Sequence, residues 1–208
     1  MVLLKRQTVL FRRNAQVSRS IRRIKHMTLL LVGIVLTILM VFITRQLTSS
    51  LPPERFRSVI RLLLPAYLLL NLYFTLLMRE PSENRLVTLV PLRSYFAVLG
   101  WDIQSFPVVG QLLQGSWEEP IAFAFESLIG IVQNLILFMP FGFLLYAVTD
   151  QPRTARILLF GFLLSLAIEL CQLLFRLGWF EVDDILHNVL GTYLGIRLYR
   201  RTVERTST

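Results

Sequence analysis

The chain has 208 residues, 54% of them hydrophobic, with a mean hydropathy of +0.60 and a charged fraction of only 17%. A soluble domain of this length needs a far more polar surface, so a water-soluble protein is excluded and a membrane protein is expected. The net charge of +9 sits on residues that flank apolar runs; it points to anionic lipid headgroups, and no Gly-rich phosphate loop or aromatic-interleaved basic surface supports nucleic-acid binding.

Residues 1–26 carry Lys5, Arg6, Arg12, Arg13, Arg19, Arg22, Arg23 and Lys25 and no acid. This stretch reads either as an amphipathic helix on a membrane surface or as a disordered basic tail. The apolar run behind it is too long for a signal-peptide core and lacks a small-x-small cleavage site, so it reads as an anchor that stays. That first span is expected over Met27 to about Thr44. A polar turn, LTSSLPPERFR, breaks the chain at Pro52 and Pro53. The second span is expected over Leu62 to Met78, with Pro65 and Asn71 inside it.

Residues 79–122 hold the polar loop REPSENR and two apolar pieces, LVTLVPL and FPVVGQLLQG, each too short to cross a bilayer. Trp101 and Trp117 suggest the membrane interface. An ordered interfacial or partly re-entrant segment is expected, covered by protein or water because unpaired backbone is costly in lipid. The third span follows over Ser127 to Thr149, with Gln133, Asn134, Pro140 and Gly142, and the fourth over Ile157 to Phe175, with Glu169 and Gln172. The fifth, Ile185 to Tyr199, is short against the roughly 20 residues a bilayer requires. Cys171 is the only cysteine, which excludes a disulfide within the chain. The predicted fold is an all-α integral membrane protein, a bundle of about five transmembrane helices with an interfacial or re-entrant segment.

Polar residues gather in the C-terminal half. Glu169 and Gln172, at i and i+3, share a helix face. A carboxylate at the centre of a membrane helix costs roughly 2.5–3.5 kcal/mol on insertion scales and normally marks function, although a protonated acid or an amide also serves as interhelical glue. Glu181, Asp183 and Asp184 lie where the chain re-enters the membrane. Asp183 or Asp184 is placed to cap its own helix. Asp184, Asn188, Gly191 and Gly195 fall on one helical stripe, with Asp183 and His187 as a neighbouring i, i+4 pair. The glycines of that stripe let another helix come close. Pro140 is expected to kink the third span, and Gly142 to allow close approach.

Three stretches resemble the VanZ-like family of membrane proteins: Asn134-Leu-Ile-Leu-Phe-Met-Pro-Phe-Gly142, Glu169-Leu-Cys-Gln172, and Phe180-Glu-Val-Asp-Asp-Ile-Leu-His-Asn-Val-Leu-Gly191 with Gly195. Residues 88–92, TLVPL, look like a weak copy of a further family segment. Where the family usually has an Arg just before the acidic segment this chain has Trp179, with Arg176 one turn earlier, and Glu181 stands where Asp is usual. The resemblance divides the chain into a basic tail (1–26), an additional span and turn (27–61), a VanZ-like membrane domain (62–199) and a basic C-terminal tail (200–208). It implies a bacterial cell membrane location and a link to resistance against glycopeptide antibiotics of the teicoplanin type, without supplying a molecular activity.

The residues then admit a binding protein for a lipid-linked cell-wall precursor or a lipoglycopeptide, or a membrane-embedded enzyme acting on such a precursor. The expected ligand pocket joins Asn134, Glu169, Gln172, Arg176, Glu181, Asp184 and Asn188. Arg176, the only Lys or Arg between Arg156 and Arg197, is expected to pair with an acid there. For an enzyme, Glu169, Asp183, Asp184 and His187 are the candidate acid–base groups. These oxygens suit Mg²⁺ or Ca²⁺, but no known metal signature is matched, so no metal and no cofactor is assigned. A transporter is disfavoured because the hydrophobic pattern has no internal repeat. Membrane lipids are the remaining partners, and the sequence sets no oligomeric state. The basic segments at 45–57, 153–156 and 200–205 place the acidic cluster outside the cytoplasm; the basic N-terminal tail argues the reverse.

Overall fold

A computed structural model of the chain describes residues 27–28, 30–79, 81, 86–99 and 118–203. The N-terminal tail, Trp101, Trp117 and most of the expected re-entrant segment lie outside the described residues. Among the described residues, four helices are long and apolar enough to cross a membrane, and the fold is that of an all-α membrane protein.

Helix α1 runs Leu30–Ser50. It continues past Thr44, and hydroxyls such as Thr48 Oγ1 donate back to the carbonyl one turn earlier (2.8 Å), which satisfies them in apolar surroundings. The expected polar turn therefore shrinks to Leu51 and Pro52. Pro53 opens helix α2, Pro53–Leu72, at a position where the missing N–H has no intrahelical partner to lose. Pro65 lies within α2 without ending it. A π-helical turn follows over Tyr73–Leu77. Strand β1, Leu86–Thr88, and the short helix α3, Arg93–Val98, come next.

Helix α4 spans Glu118–Val148, starting well before Ser127. Its 31 residues reach about 46 Å, more than the roughly 30 Å of hydrocarbon. Pro140 is buried inside it, and the neighbouring α2 supplies donors at that level. Tyr67 Oη and Asn71 Nδ2 both donate to the Leu137 carbonyl, next in the chain to the Ile136 carbonyl that Pro140 deprives of its helical donor. Helix α5 is Thr154–Phe175. Strand β2, Trp179–Glu181, leads into helix α6, Val182–Thr202. The helix at the expected fifth span is longer than its apolar run, and it is not among the four helices apolar enough to cross a membrane. At 21 residues α6 extends for about 31 Å, because its helix takes in the acids at its start and Arg200 and Arg201 at its end. Arg200 donates from Nε to Tyr146 Oη (3.0 Å) and from Nη2 to Thr154 Oγ1 (3.1 Å).

The pairing of α4 with α6 is the closest in the bundle. Methyl groups added at Gly142, Gly191 and Gly195 would strike the backbone carbonyls of Thr192, Leu135 and Met139. The two helices therefore touch backbone to backbone, as small residues allow in membranes. Gly161 of α5 faces the Thr192 side chain in the same way, so α6 is wedged between α4 and α5. At one end of the bundle Phe56, Ile60, Phe143, Leu144, Ala147 and Val203 form a core, and Arg57 of α2 reaches Asp150 (2.5 Å). At the other end lie the α5–α6 connection, the π turn, β1 and α3. Leu159, Phe160, Leu163, Leu174 and Phe175 of α5 are exposed, as lipid-facing residues are.

Gly195→Val should cost about 3 kcal/mol or more, the upper range for overpacking, because the atoms it meets are backbone. Gly130 of the same bundle has open space around it, so Gly130→Ala should cost nothing. Thermal unfolding of the two purified variants in detergent checks the contrast.

Candidate functional site

The residues at the second end of the bundle are organised by one buried stripe on α5. Gly161, Ser165, Ile168, Glu169 and Gln172 are its inward residues. Ser165, Glu169 and Gln172 follow one another at helical spacing, so each meets a different neighbour. Asn188 of α6 donates from Nδ2 to Ser165 Oγ (2.8 Å). Gln172 donates from Nε2 to the Thr75 carbonyl (3.1 Å), which belongs to the π turn; such turns leave the regular hydrogen-bond ladder and commonly occur at functional sites. Glu169 is 1% exposed, and its Oε2 accepts from the Glu181 backbone N–H (3.0 Å). That bond ties the carboxylate on α5 to β2.

β2 is held by β1. The strands pair in parallel, Leu86 with Trp179, Val87 with Phe180 and Thr88 with Glu181. The apolar piece LVTLVPL is therefore part of the site rather than a crossing segment. Leu92 follows with a left-handed φ of 64°, and the amides of Leu92 and Ser94 point at one carboxylate. Asp183 accepts both, Oδ1 from Leu92 (2.5 Å) and Oδ2 from Ser94 (2.7 Å). Asp183 was expected to cap its own helix or to act as an acid–base group. Instead, it caps α3 across the fold, where a carboxylate at exposed backbone N–H groups is stabilising. Its neighbour His187 is buried, with Nε2 at 3.1 Å from Tyr95 Oη and the two rings edge to face.

Glu169, Glu181 and Asp184 lie within electrostatic range of one another and of Arg79. Glu181 is on β2, outside the spanning helices; burial pushes its carboxyl above the usual range, and Arg93 and Arg79 oppose that rise. Arg176 was expected to supply the compensating charge. It is exposed, in a left-handed conformation (φ 59°) at the C-cap of α5, with its backbone N–H on the Gln172 carbonyl. The reason is geometric: a continued helix would put Arg176 four residues on from Gln172 on the buried stripe, and its left-handed backbone breaks that spacing. Arg79, beyond the π turn, takes the place assigned to Arg176, and its guanidinium lies against Gly178.

Asn134 is half-buried, one turn from Phe138. Phe138 belongs to a core cluster with Phe141 of α4 and Ile168 of α5 against which leucines and Tyr67 of α2 pack, so Asn134 lies on that side of α4, next to the position, Leu135, whose backbone Gly191 meets. The structure thus brings together Glu169, Gln172, Glu181, Asp184 and Asn188. It places Asn134 on an adjoining face and leaves Arg176 out. It adds Arg79, Ser165, Tyr95 and the Thr75 carbonyl, which sequence reasoning missed. Ser165 was findable, since it stands four residues before Glu169 on the same helical stripe; Arg79 carried no local signal beyond following a span.

Several polar atoms here have no protein partner among the described residues. Gln172 Oε1, Asn188 Oδ1 and His187 Nδ1 are buried without a hydrogen bond, as is Asn71 Oδ1 nearby. The Gln172 and Asn71 amides each donate to a backbone carbonyl, which fixes their orientation, so their unpartnered atoms are acceptors. A cluster of carboxylates and open acceptors suits a ligand that brings hydrogen-bond donors. Among the described residues no group of three or more His, Cys, Asp or Glu has the arrangement to hold a metal ion.

The fold and this polar interior define a helix-bundle membrane protein with an acid-rich site at one end. The chain belongs to the VanZ/LLP1 family, whose model matches residues 64–203. It is 33% identical over 69 residues to a protein named Protein VanZ from Enterococcus faecium, a match that covers 33% of this chain and 43% of that protein. The chain thus spans less than half the length of that curated relative. No solved structure matches.

Asp183→Ala should raise the hydrogen-exchange rates of the Leu92 and Ser94 amides while α5 and α6 keep their protection; unchanged exchange at 92–94 would remove the capping role. Arg79→Ala should cost on the order of 1–3 kcal/mol in thermal stability, between the values for exposed and buried charge partners. Arg176→Ala should stay within about 0.5 kcal/mol, as surface substitutions do. Equal effects would return the charge compensation to Arg176.

Proposed function

We propose that this chain binds an amphiphilic envelope ligand at the Glu169–Asp184 site and through it contributes to tolerance of glycopeptide antibiotics of the teicoplanin type. The ligand is a lipid-linked cell-wall precursor or a lipoglycopeptide. Family membership and the likeness to Protein VanZ support the cellular setting. The observation that carries the binding reading is the excess of acceptors: a buried carboxylate at Glu169 beside Gln172 Oε1, which has no donor. An amine or hydroxyl group of an amphiphile supplies those donors, and its apolar portion lies along the exposed leucines and phenylalanines of α5. Glu169 sits six residues before the end of α5, roughly 9 Å along the axis, a depth that a headgroup reaches without crossing the bilayer.

The acid-rich end faces outward in this reading. Arg55, Arg57, Arg61, Arg153, Arg156, Arg200 and Arg201 gather at the opposite end of the bundle, as the cytoplasmic side of a bacterial cell membrane prefers. The eight basic residues of 1–26 argue the other way and lie outside the described residues.

Asp184→Asn and Glu169→Gln keep side-chain size and remove charge. A hydrogen bond to a charged group is worth about 1.5–3 kcal/mol, so ligand affinity should fall tenfold or more. Teicoplanin tolerance of cells carrying either variant should fall while the thermal stability of the purified proteins holds. Unchanged tolerance with unchanged stability in both variants overturns the binding role. His187 Nδ1, buried and unpartnered beside the acids, favours one second reading, acid–base catalysis on the same lipid-linked precursor. Turnover of labelled precursor by the wild type, lost in Glu169→Gln, would replace binding with catalysis.

A further inference from the structure

A cleft lies at the basic end of the bundle, far from the acids. There α1, the start of α2, the α4–α5 turn and the end of α6 enclose about 510 Å³, within the size range of small-molecule sites. Its lining is divided. Leu51, Phe56, Ala147 and Val203 make an apolar floor, and Thr48, Arg57, Thr149 and Gln151 make a polar rim. Arg57 is half-exposed, and its Nη1 is held 2.5 Å from Asp150 Oδ1, on a carboxylate that is itself largely exposed. Arg200, whose guanidinium carbon sits 5.0 Å above the Tyr146 ring, braces the wall.

We propose that this cleft binds the phosphate headgroup of an anionic phospholipid, with Arg57 as the charge that receives it. The reasons are on the surface around it. The same end carries Arg55, Arg61, Arg153, Arg156 and Arg201 against Glu54 and Asp150, so the field there attracts anions. An apolar floor beneath a polar, cationic rim matches a glycerophosphate joined to acyl chains better than it matches a free ion. Asp150 occupies the Arg57 guanidinium when no lipid is present, so it competes with the ligand.

That competition gives the proposal its sign test. The purified full-length protein is titrated with phosphatidylglycerol and, separately, phosphatidylcholine in detergent, and bound lipid is counted by native mass spectrometry. The wild type should prefer phosphatidylglycerol. Arg57→Gln should weaken that lipid about fivefold, the factor that corresponds to about 1 kcal/mol per basic residue near a membrane surface. Asp150→Asn should strengthen it by a similar factor, because it releases Arg57. Arg153→Gln, at the same end but outside the lining, thins the surrounding field without touching the cleft and should weaken binding clearly less than Arg57→Gln, and all variants should unfold at the wild-type temperature. Soluble sn-glycerol 3-phosphate at the same concentration should displace little lipid; full displacement would make the ligand a free phosphate ester instead. Equal losses in Arg57→Gln and Arg153→Gln, no gain in Asp150→Asn, or no headgroup preference would each overturn the site.

Discussion

The contact on which the rest depends is the backbone-to-backbone packing of α6 against α4. In lipid the hydrophobic effect does not drive helices together; close packing and interhelical hydrogen bonds do. Gly142, Gly191 and Gly195 remove the side chains that would hold these helices apart. Once α6 lies that close, Thr192 fits against Gly161 and Asn188 meets Ser165. The registry of α6 with α5 is then fixed, and Asp184 falls within electrostatic range of Glu169. The polar site is thus a result of glycine placement two to three turns away from it.

The four acids of the site do different work, and their neighbours decide which. Asp183 spends both oxygens on backbone amides and so holds α3. Glu169 accepts one backbone amide with one oxygen. Glu181 supplies that amide from its own backbone, and its side chain sits under the opposing fields of Arg93 and Asp183. Asp184 starts the face that continues through Asn188. A buried carboxylate with hydrogen-bonding capacity to spare is costly unless something meets it, which is why Glu169, with the half-buried Asp184 in its electrostatic range, carries the functional argument rather than Asp183.

Much of the helical framework was legible because lipid-exposed and buried residues are both apolar, and such runs show plainly in the sequence. Their ends were less legible. Pro53 looked like a break yet begins α2, and Asp183 and Asp184, read as helix-capping acids ahead of a span starting at Ile185, lie inside the first turn of α6, because charged residues at helix ends can reach past the apolar core. The stripe of Asp184, Asn188, Gly191 and Gly195 could be read from spacing alone. The pairing of 86–88 with 179–181 could not, because three-residue strands leave no periodic signal and their partners lie far apart in the chain. Arg79 was missed for the same reason, and Arg176 was chosen on charge bookkeeping without the left-handed turn that faces it outward.

The parallel pairing of β1 with β2 also sets an order of events during synthesis. Residues 86–99 emerge with no edge to pair with and no cap for α3, since both partners lie in 179–183. Contacts so distant along the chain must wait for the loop between them to close. The acid-rich end therefore matures last, after α6 has formed. Until then Arg79 and Arg93 stand beside a bundle that lacks Glu181, Asp183 and Asp184. A chain released before residue 179 has the sequence of α1, α2, α4 and α5 but lacks Glu181, Asp183 and Asp184, so its site does not exist.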